Sequence, residues 1–176
     1  MVEVKKQELV RSFLQTIIDI ISRRTSESYS SMVLNNVFRN LNSKHVFLRD
    51  IEIKNPQFSE VYDMVDIKSE LGFINDEEIK NFTVDVVNEL IDSMGRSAGF
   101  FFIKEIKQEL PTEYEKQLKN LGVDFDIMQL EYILEKSSKY LGDIENSEVI
   151  KHIFSFITNN KESIIRKKTI QKTFLF

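Results

Sequence analysis

The longest run of apolar residues at helical spacing extends from Ile79 to Leu110 and contains two glycines. Spacings of three and four residues place these apolar side chains on one face of a helix. If the run is one helix beginning near Glu77, its length is roughly 50 Å at about 1.5 Å per residue, the diameter of a domain of this size. We therefore predict a long central helix, with Asn75 or Asp76 as its N-cap, around which the other helices pack.

Gly95 and Gly99 lie within this run, four residues apart and therefore on one helix face. Each glycine inside a helix costs about 1 kcal/mol relative to alanine, so two of them require a structural reason. We predict a flat notch beside Phe102, where another helix or a partner subunit crosses closely. Gly95, Gly99 and Phe102 are thus the candidate helix-crossing or interface residues.

The five residues from Gly95 to Gly99 also match the pattern G-x-S-x-G, with Ser97 at the nucleophile position. In hydrolases this pattern follows a buried strand and opens a helix. Here the preceding residues have helical spacing, and the sequence lacks the alternating strands and helices that build a parallel sheet. We therefore interpret Ser97 as a residue within a helix, and keep a hydrolase that uses Ser97 as the alternative hypothesis.

Charged residues near the glycines offer two further arrangements. Arg96, next to a helix that would restart at Ser97, is a weak candidate for an anion site. Glu105 and Glu109 are four residues apart on one helix face, and with Arg96 they form a second candidate enzyme site. Solvation of a surface face explains the two glutamates equally well.

The rest of the chain shows shorter amphipathic stripes. One helix is expected from about Lys5 to Ser22, and the N-cap residues Thr25 to Ser28 begin another. The buried face predicted for this second helix consists of Tyr29, Met32, Val33, Val37, Phe38 and Leu41. With helices that begin near Pro111, Asp124 or Asp126, and Asn146 or Ser147, the pattern predicts a predominantly all-α fold of six to seven helices, in one domain over residues 1–160.

Residues 43–74 are ambiguous because their apolar runs are short. Phe58, Val61, Tyr62 and Val65 fit a short helix, whereas Val61 to Ile67 also fit a small β-hairpin with Ile51 to Ile53, so a hairpin is an option near residues 51–67. We interpret His45 as a surface or loop histidine rather than a metal ligand, since no second ligand lies at a recognisable spacing. Gly122 follows a short helix and has the position of a left-handed helix terminator.

Composition excludes several classes of function. The absence of cysteine removes thiolate catalysis, disulfides and cysteine-ligated metals. No apolar run approaches the length of a membrane span, and a net charge of −4 argues against nucleic acid as a partner. With no signal-peptide pattern and no cofactor or metal motif, we expect a cytoplasmic protein without metal or cofactor.

Residues 161–176 differ in charge from the preceding sequence. They carry five basic residues and one acidic residue, a net charge of +4, and they end in Phe-Leu-Phe. This basic extension is either the end of the last helix or an arm that docks on an acidic surface of a partner. The residues of the candidate docking tail are Arg166, Lys167, Lys168, Lys172, Phe174 and Phe176.

No catalytic constellation accompanies these features. The glycine notch and the 14 phenylalanines favour a helical binding or regulatory module, which acts through a protein partner or an apolar small molecule and forms an oligomer such as a homodimer. The sequence therefore favours a binding protein over an enzyme.

Overall fold

The computed structural model describes residues 6–55, 63–68, 74–94 and 99–141. The chain divides into two compact units, Met1–Phe125 and Asp126–Phe176. The predicted last helix, the predicted boundary at residue 160 and the basic tail lie outside the described residues, so they stay predictions.

The described residues form six α-helices, one 3₁₀ helix and two short strands. In chain order these are α1 (Lys6–Ser22), α2 (Glu27–Leu41), the 3₁₀ helix Val46–Asp50, β1 (Ile51–Ile53), β2 (Val65–Ile67), α3 (Asp76–Met94), α4 (Gly99–Glu109), α5 (Thr112–Asn120) and α6 (Phe125–Leu141). The predominantly helical class is confirmed, and so is the small antiparallel strand pair near residues 51–67. No helix among the described residues is long and apolar enough to cross a membrane.

Helix α1 contacts several elements of the first unit. It packs against α2, α4, α5 and β2. Its fully buried side chains include Phe13, Leu14, Ile17 and Ile18, and this wide apolar stripe explains why one helix contacts several elements.

The segment predicted as a single long helix contains two helices, α3 and α4, on either side of residues 95–98, which lie outside the described residues. The two helices contact each other. Residues on the two sides of a four-residue gap in a straight helix would lie too far apart for such contacts, because each residue advances the chain by about 1.5 Å. Helices α3 and α4 are therefore not successive parts of one straight helix.

Two predicted helix starts are observed with their capping contacts. The Ser26 side chain accepts a hydrogen bond from Tyr29 N at 3.2 Å and caps α2. Asn75 Oδ1 accepts from Glu78 N at 2.8 Å, while Glu78 Oε2 accepts from Asn75 N at 3.0 Å. This reciprocal capping box begins α3 and satisfies backbone donors that have no partner within the helix.

Gly122 ends α5 with a φ of +93°, a conformation that L-residues with a side chain rarely adopt. The Gly122 N–H donates to Lys119 O at 3.0 Å, and the Val123 N–H donates to Leu118 O at 2.8 Å. These two bonds define a Schellman motif, which confirms the predicted terminator.

The strand pair places like charges opposite each other and neutralises both. Glu52 faces Asp66 across the register. Lys68 lies 2.7 Å from Glu52, and Lys54 lies 3.0 Å from Asp66. Hydrogen bonding to Lys54 lowers the pKa of Asp66, and hydrogen bonding to Glu52 raises the pKa of Lys68. Two ion pairs thus cross the exposed side of the sheet. Glu52 on β1 pairs with Lys68 after β2, and Asp66 on β2 pairs with Lys54 after β1.

The buried face predicted for α2 is partly wrong. Tyr29 is 47% exposed and Met32 is 51% exposed, whereas Ser30 and Ser31 are buried. The rest of the buried face consists of Leu34, Val37, Phe38 and Leu41. One turn before Leu34, this stripe continues onto Ser30 and Ser31 rather than onto the two larger side chains.

Candidate binding site

A cavity of about 320 Å³ lies in the first unit between α1, α2, α3 and α4. Its volume is at the low end of the roughly 300–1,000 Å³ typical of small-molecule pockets. The described residues that line it are Ile20, Ile21, Arg24, Thr25, Tyr29, Ser93, Phe102 and Glu105. The site therefore combines apolar, aromatic, hydroxyl and charged groups contributed by four helices.

The apolar part of the lining comes from α1 and α4. Ile20, Ile21 and Phe102 are each at least 95% buried, so their surfaces toward the cavity are among the small fraction that remains accessible. Tyr29, at the start of α2, adds an aromatic ring that is about half exposed. A molecule in the cavity would therefore have apolar contacts with α1 and α4 and an aromatic contact with the partly exposed Tyr29.

Two hydroxyl groups in the lining are oriented by their own backbone. Ser93 Oγ donates to Leu90 O at 2.8 Å, and Thr25 Oγ1 donates to Ile21 O at 2.7 Å. Since each hydroxyl has a single hydrogen, the oxygen lone pairs are the groups that remain for a ligand. While these bonds are made, each hydroxyl oxygen can accept a hydrogen bond from a ligand.

The charged part of the lining is an ion pair between Arg24, just after α1, and Glu105 on α4. Its two members differ in exposure, because the Arg24 side chain is 69% exposed and the Glu105 side chain is 27% exposed. The arginine thus extends largely into water, while the carboxylate is held against the wall of the cavity.

A second ion pair joins the same two helices beside the first. Arg23 Nη1 and Nη2 donate to the two carboxylate oxygens of Glu109 at 2.9 and 2.7 Å. This bidentate bond lowers the pKa of Glu109 and raises that of Arg23. Neither residue is part of the cavity lining, so this pair fixes the end of α1 against α4 without a role in the site.

The structure describes some of the predicted site residues and leaves others out. Phe102 is buried and lines the cavity, and Gly99 is buried at the start of α4. Gly95, Arg96 and Ser97 lie outside the described residues, so the crossing notch, the anion site and the serine nucleophile stay predictions. The tail residues from Arg166 to Phe176 are outside as well.

Glu105 and Glu109, the two glutamates of the second candidate enzyme site, both form ion pairs. Each is bound by a different arginine, and this pairing explains them more specifically than the solvation that their spacing suggested. Arg23 and Arg24 follow α1, where cations also complement the helix dipole, and their partners on α4 are additional to that role.

Sequence reasoning missed Tyr29, Thr25 and Ser93 as site residues. Tyr29 was assigned to the buried face of α2, and the phase of the stripe from Leu34 to Leu41 would have placed it outside. No local signal marks Ser93 or the pairing of Arg24 with Glu105, because the partners are 81 residues apart.

The sequence predicted a surface or loop histidine at position 45. His45 lies in the loop before the 3₁₀ helix, but it is not at the surface. It is 95% buried, and its Nε2 lies 2.7 Å from Asp85 Oδ2, which is also 2.6 Å from Lys44 Nζ. Its ring packs edge-on against Phe47 and Phe82. His45 is thus part of an aromatic core, and its Nε2 pairs with the partly exposed carboxylate of Asp85. Among the described residues, no three acidic or histidine side chains group closely enough to hold a metal ion.

No protein-family model, curated protein or solved structure matches the chain.

Proposed function

We propose that this chain is a small-molecule binding module, and that the cavity between α1 and α4 is its site. The observation that supports the proposal most directly is a 320 Å³ cavity with a buried apolar lining and acceptor oxygens at its edge. Such a combination is typical of ligand sites, where apolar walls supply affinity and a few polar groups supply orientation.

The size of the cavity limits the ligand to a small one. Apolar surface removed from water contributes roughly 25 cal/mol per Å², so a molecule with a single ring gains a few kcal/mol, less the cost of its lost freedom. Affinity in the high micromolar to millimolar range is therefore expected for a minimal probe, and additional polar contacts would increase it.

Filling the cavity tests the proposal. Ser93 lies on the edge of the cavity and is exposed, so Ser93→Trp adds a large ring there without replacing a core residue. Asp92→Trp is the matched control, because Asp92 is an exposed neighbour that is not part of the lining. We expect 2-phenylethanol to bind the wild type and Asp92→Trp, and to bind Ser93→Trp at least tenfold more weakly, in titrations followed by protein-observed NMR.

Two results would contradict this proposal. The first is equal binding of the alcohol by all three proteins, which would place it elsewhere on the molecule. The second is no binding to the wild type at millimolar probe concentration.

The exposed face of α2 favours a second candidate function, contact with another copy of the chain. Tyr29 and Met32 are three residues apart on one face and expose about half of their surfaces. Large side chains of this kind are enriched at protein interfaces. Met32→Glu would then weaken self-association in sedimentation velocity, while Val46→Glu, at an apolar position that is 64% exposed on another element, would not. A wild type that stays monomeric at high concentration would exclude this candidate.

A further inference from the structure

The unequal exposure of the Arg24–Glu105 ion pair decides which member a ligand can replace. A charged ligand that takes the place of one member must separate the pair and leave the other member's former partner to water. Releasing Arg24 costs little, since its side chain is already 69% exposed and lies at the C-terminal end of α1, where the helix dipole favours a cation. Releasing Glu105 costs more, because a carboxylate that is 27% exposed would lose its partner while still facing the cavity wall.

The other groups that line the cavity also favour a cationic ligand over an anionic one. Ser93 and Thr25 donate to backbone carbonyls, and while these bonds are made their oxygens can accept hydrogen bonds from a ligand. Tyr29 and Phe102 add aromatic rings to the lining, and an aromatic ring attracts a cation that lies over its face. An anionic ligand would find Arg24 as its charged partner and would face these acceptors unfavourably, whereas a ligand with N–H donors satisfies them.

We infer that the cavity selects a small amphipathic amine, whose ammonium group takes the place of the Arg24 guanidinium on Glu105 while its apolar body lies against Ile20, Ile21 and Phe102. This inference rests on the proposed binding function and specifies its ligand class. Arg24 then acts as an internal competitor that neutralises Glu105 when the cavity is empty.

Three probes of similar size separate charge from shape: 2-phenylethylammonium, the neutral 2-phenylethanol and the anionic phenylacetate. We expect the ammonium probe to bind the wild type at least tenfold more tightly than the alcohol, and phenylacetate to bind more weakly than either. Raising the salt concentration should reduce the advantage of the ammonium probe and leave the alcohol nearly unchanged.

The adjacent ion pair supplies matched controls for each variant. Glu105→Gln should remove the preference for the ammonium probe, and Glu109→Gln should retain it, since Glu109 does not line the cavity. Arg24→Gln should increase the affinity for the ammonium probe several-fold by removing the competitor, and Arg23→Gln should not. A gain of affinity cannot come from a misfolded variant, so Arg24→Gln keeps the test informative even if Glu105→Gln lowers stability.

The outcomes separate this inference from the proposal on which it rests. Equal binding of the ammonium probe and the alcohol, both lost in Ser93→Trp, would support the cavity and overturn its selectivity for amines. Tighter binding of phenylacetate that disappears in Arg24→Gln would overturn the inference and assign recognition to Arg24. If none of the three probes binds, the binding function and its ligand class both fail.

Discussion

Phe82 is the residue whose substitution tests the described core most directly. It lies on α3 and is completely buried. Four aromatic rings approach it edge-on, with centroid distances of 5.1 Å to Phe47, 5.7 Å to His45, 6.3 Å to Phe38 and 6.4 Å to Phe13. Since these rings come from α1, α2 and the segment around the 3₁₀ helix, one side chain links four parts of the first unit.

The expected cost of Phe82→Leu follows from this environment. Leucine keeps most of the apolar contact but loses the edge-to-face geometry, which is worth about 0.5–1.5 kcal/mol for each aromatic pair beyond area burial. The four pair energies share one ring and do not add, and the missing ring atoms leave a small cavity. We therefore expect a loss of about 2–3 kcal/mol, below the 3–5 kcal/mol that is typical of Phe→Ala in a core.

Urea unfolding followed by far-ultraviolet circular dichroism measures this loss. With a slope of about 1–3 kcal/mol per M, the midpoint should fall by roughly 0.7–3 M. Phe101→Leu is the matched control, because Phe101 is 58% exposed on α4 and its substitution should cost no more than about 0.5 kcal/mol. Equal midpoints for the two variants would refute the central position of Phe82 in the core.

Two shorter predictions concern α5 and the second ion pair. Gly122→Ala should lower the free energy of unfolding by about 1–2 kcal/mol, because φ at this position is +93°. Gly122→Asn should cost less, because asparagine tolerates this conformation better. Equal melting temperatures for the two variants would contradict the assigned strain. Because Arg23 lowers the pKa of Glu109, their bond stabilises the fold above the ordinary carboxyl pKa of about 4.3 and is lost as pH falls through the lower folded value. Glu109→Gln should therefore be less stable than the wild type at pH 7 and equally stable near pH 2, as measured by urea midpoints; a difference that persists at pH 2 would exclude the linkage.

Local signals predicted the elements of this fold well. The apolar stripe of α1, the capping residues Ser26 and Asn75, and the terminator Gly122 each act within a few residues, and all of them are observed as expected. The strand pair was also accessible to sequence reasoning, since Ile51 to Ile53 alternate and end before a proline. These features depend on spacing along the chain, and spacing is what a single sequence contains.

The candidate site depends instead on contacts between distant residues. Arg24 and Glu105 are 81 residues apart, and His45 and Asp85 are 40 residues apart. Each of these residues, taken alone, has an ordinary explanation as a helix-end cation, a solvated acid or a loop histidine. Their pairing follows from how α1, α3 and α4 pack, which no local pattern specifies.

The orientation of α2 depends on its local apolar stripe and also on contacts with distant residues. Hydrogen bonds as well as hydrophobic burial decide which face of the helix points inward. Ser31 Oγ donates to Lys54 O at 3.1 Å, and Asn35 Nδ2 donates to Ile53 O at 3.3 Å, so α2 supplies donors to carbonyls at β1. Because these bonds are partly buried, leaving their groups unsatisfied would cost up to about 1–3 kcal/mol each, the range for fully buried groups.

Turning Tyr29 and Met32 inward in their place would gain less than the roughly 1.5–3 kcal/mol of full side-chain burial for each, since both are already about half buried. The orientation that makes the hydrogen bonds to the carbonyls at β1 also keeps the stripe from Leu34 to Leu41 in the core. Hydrogen bonding and apolar burial therefore both favour it. A consequence of this orientation is that Tyr29 remains at the cavity, with its ring available to a ligand. The aromatic edge of the proposed site therefore arises from the same hydrogen bonds that attach the strand pair to the helices.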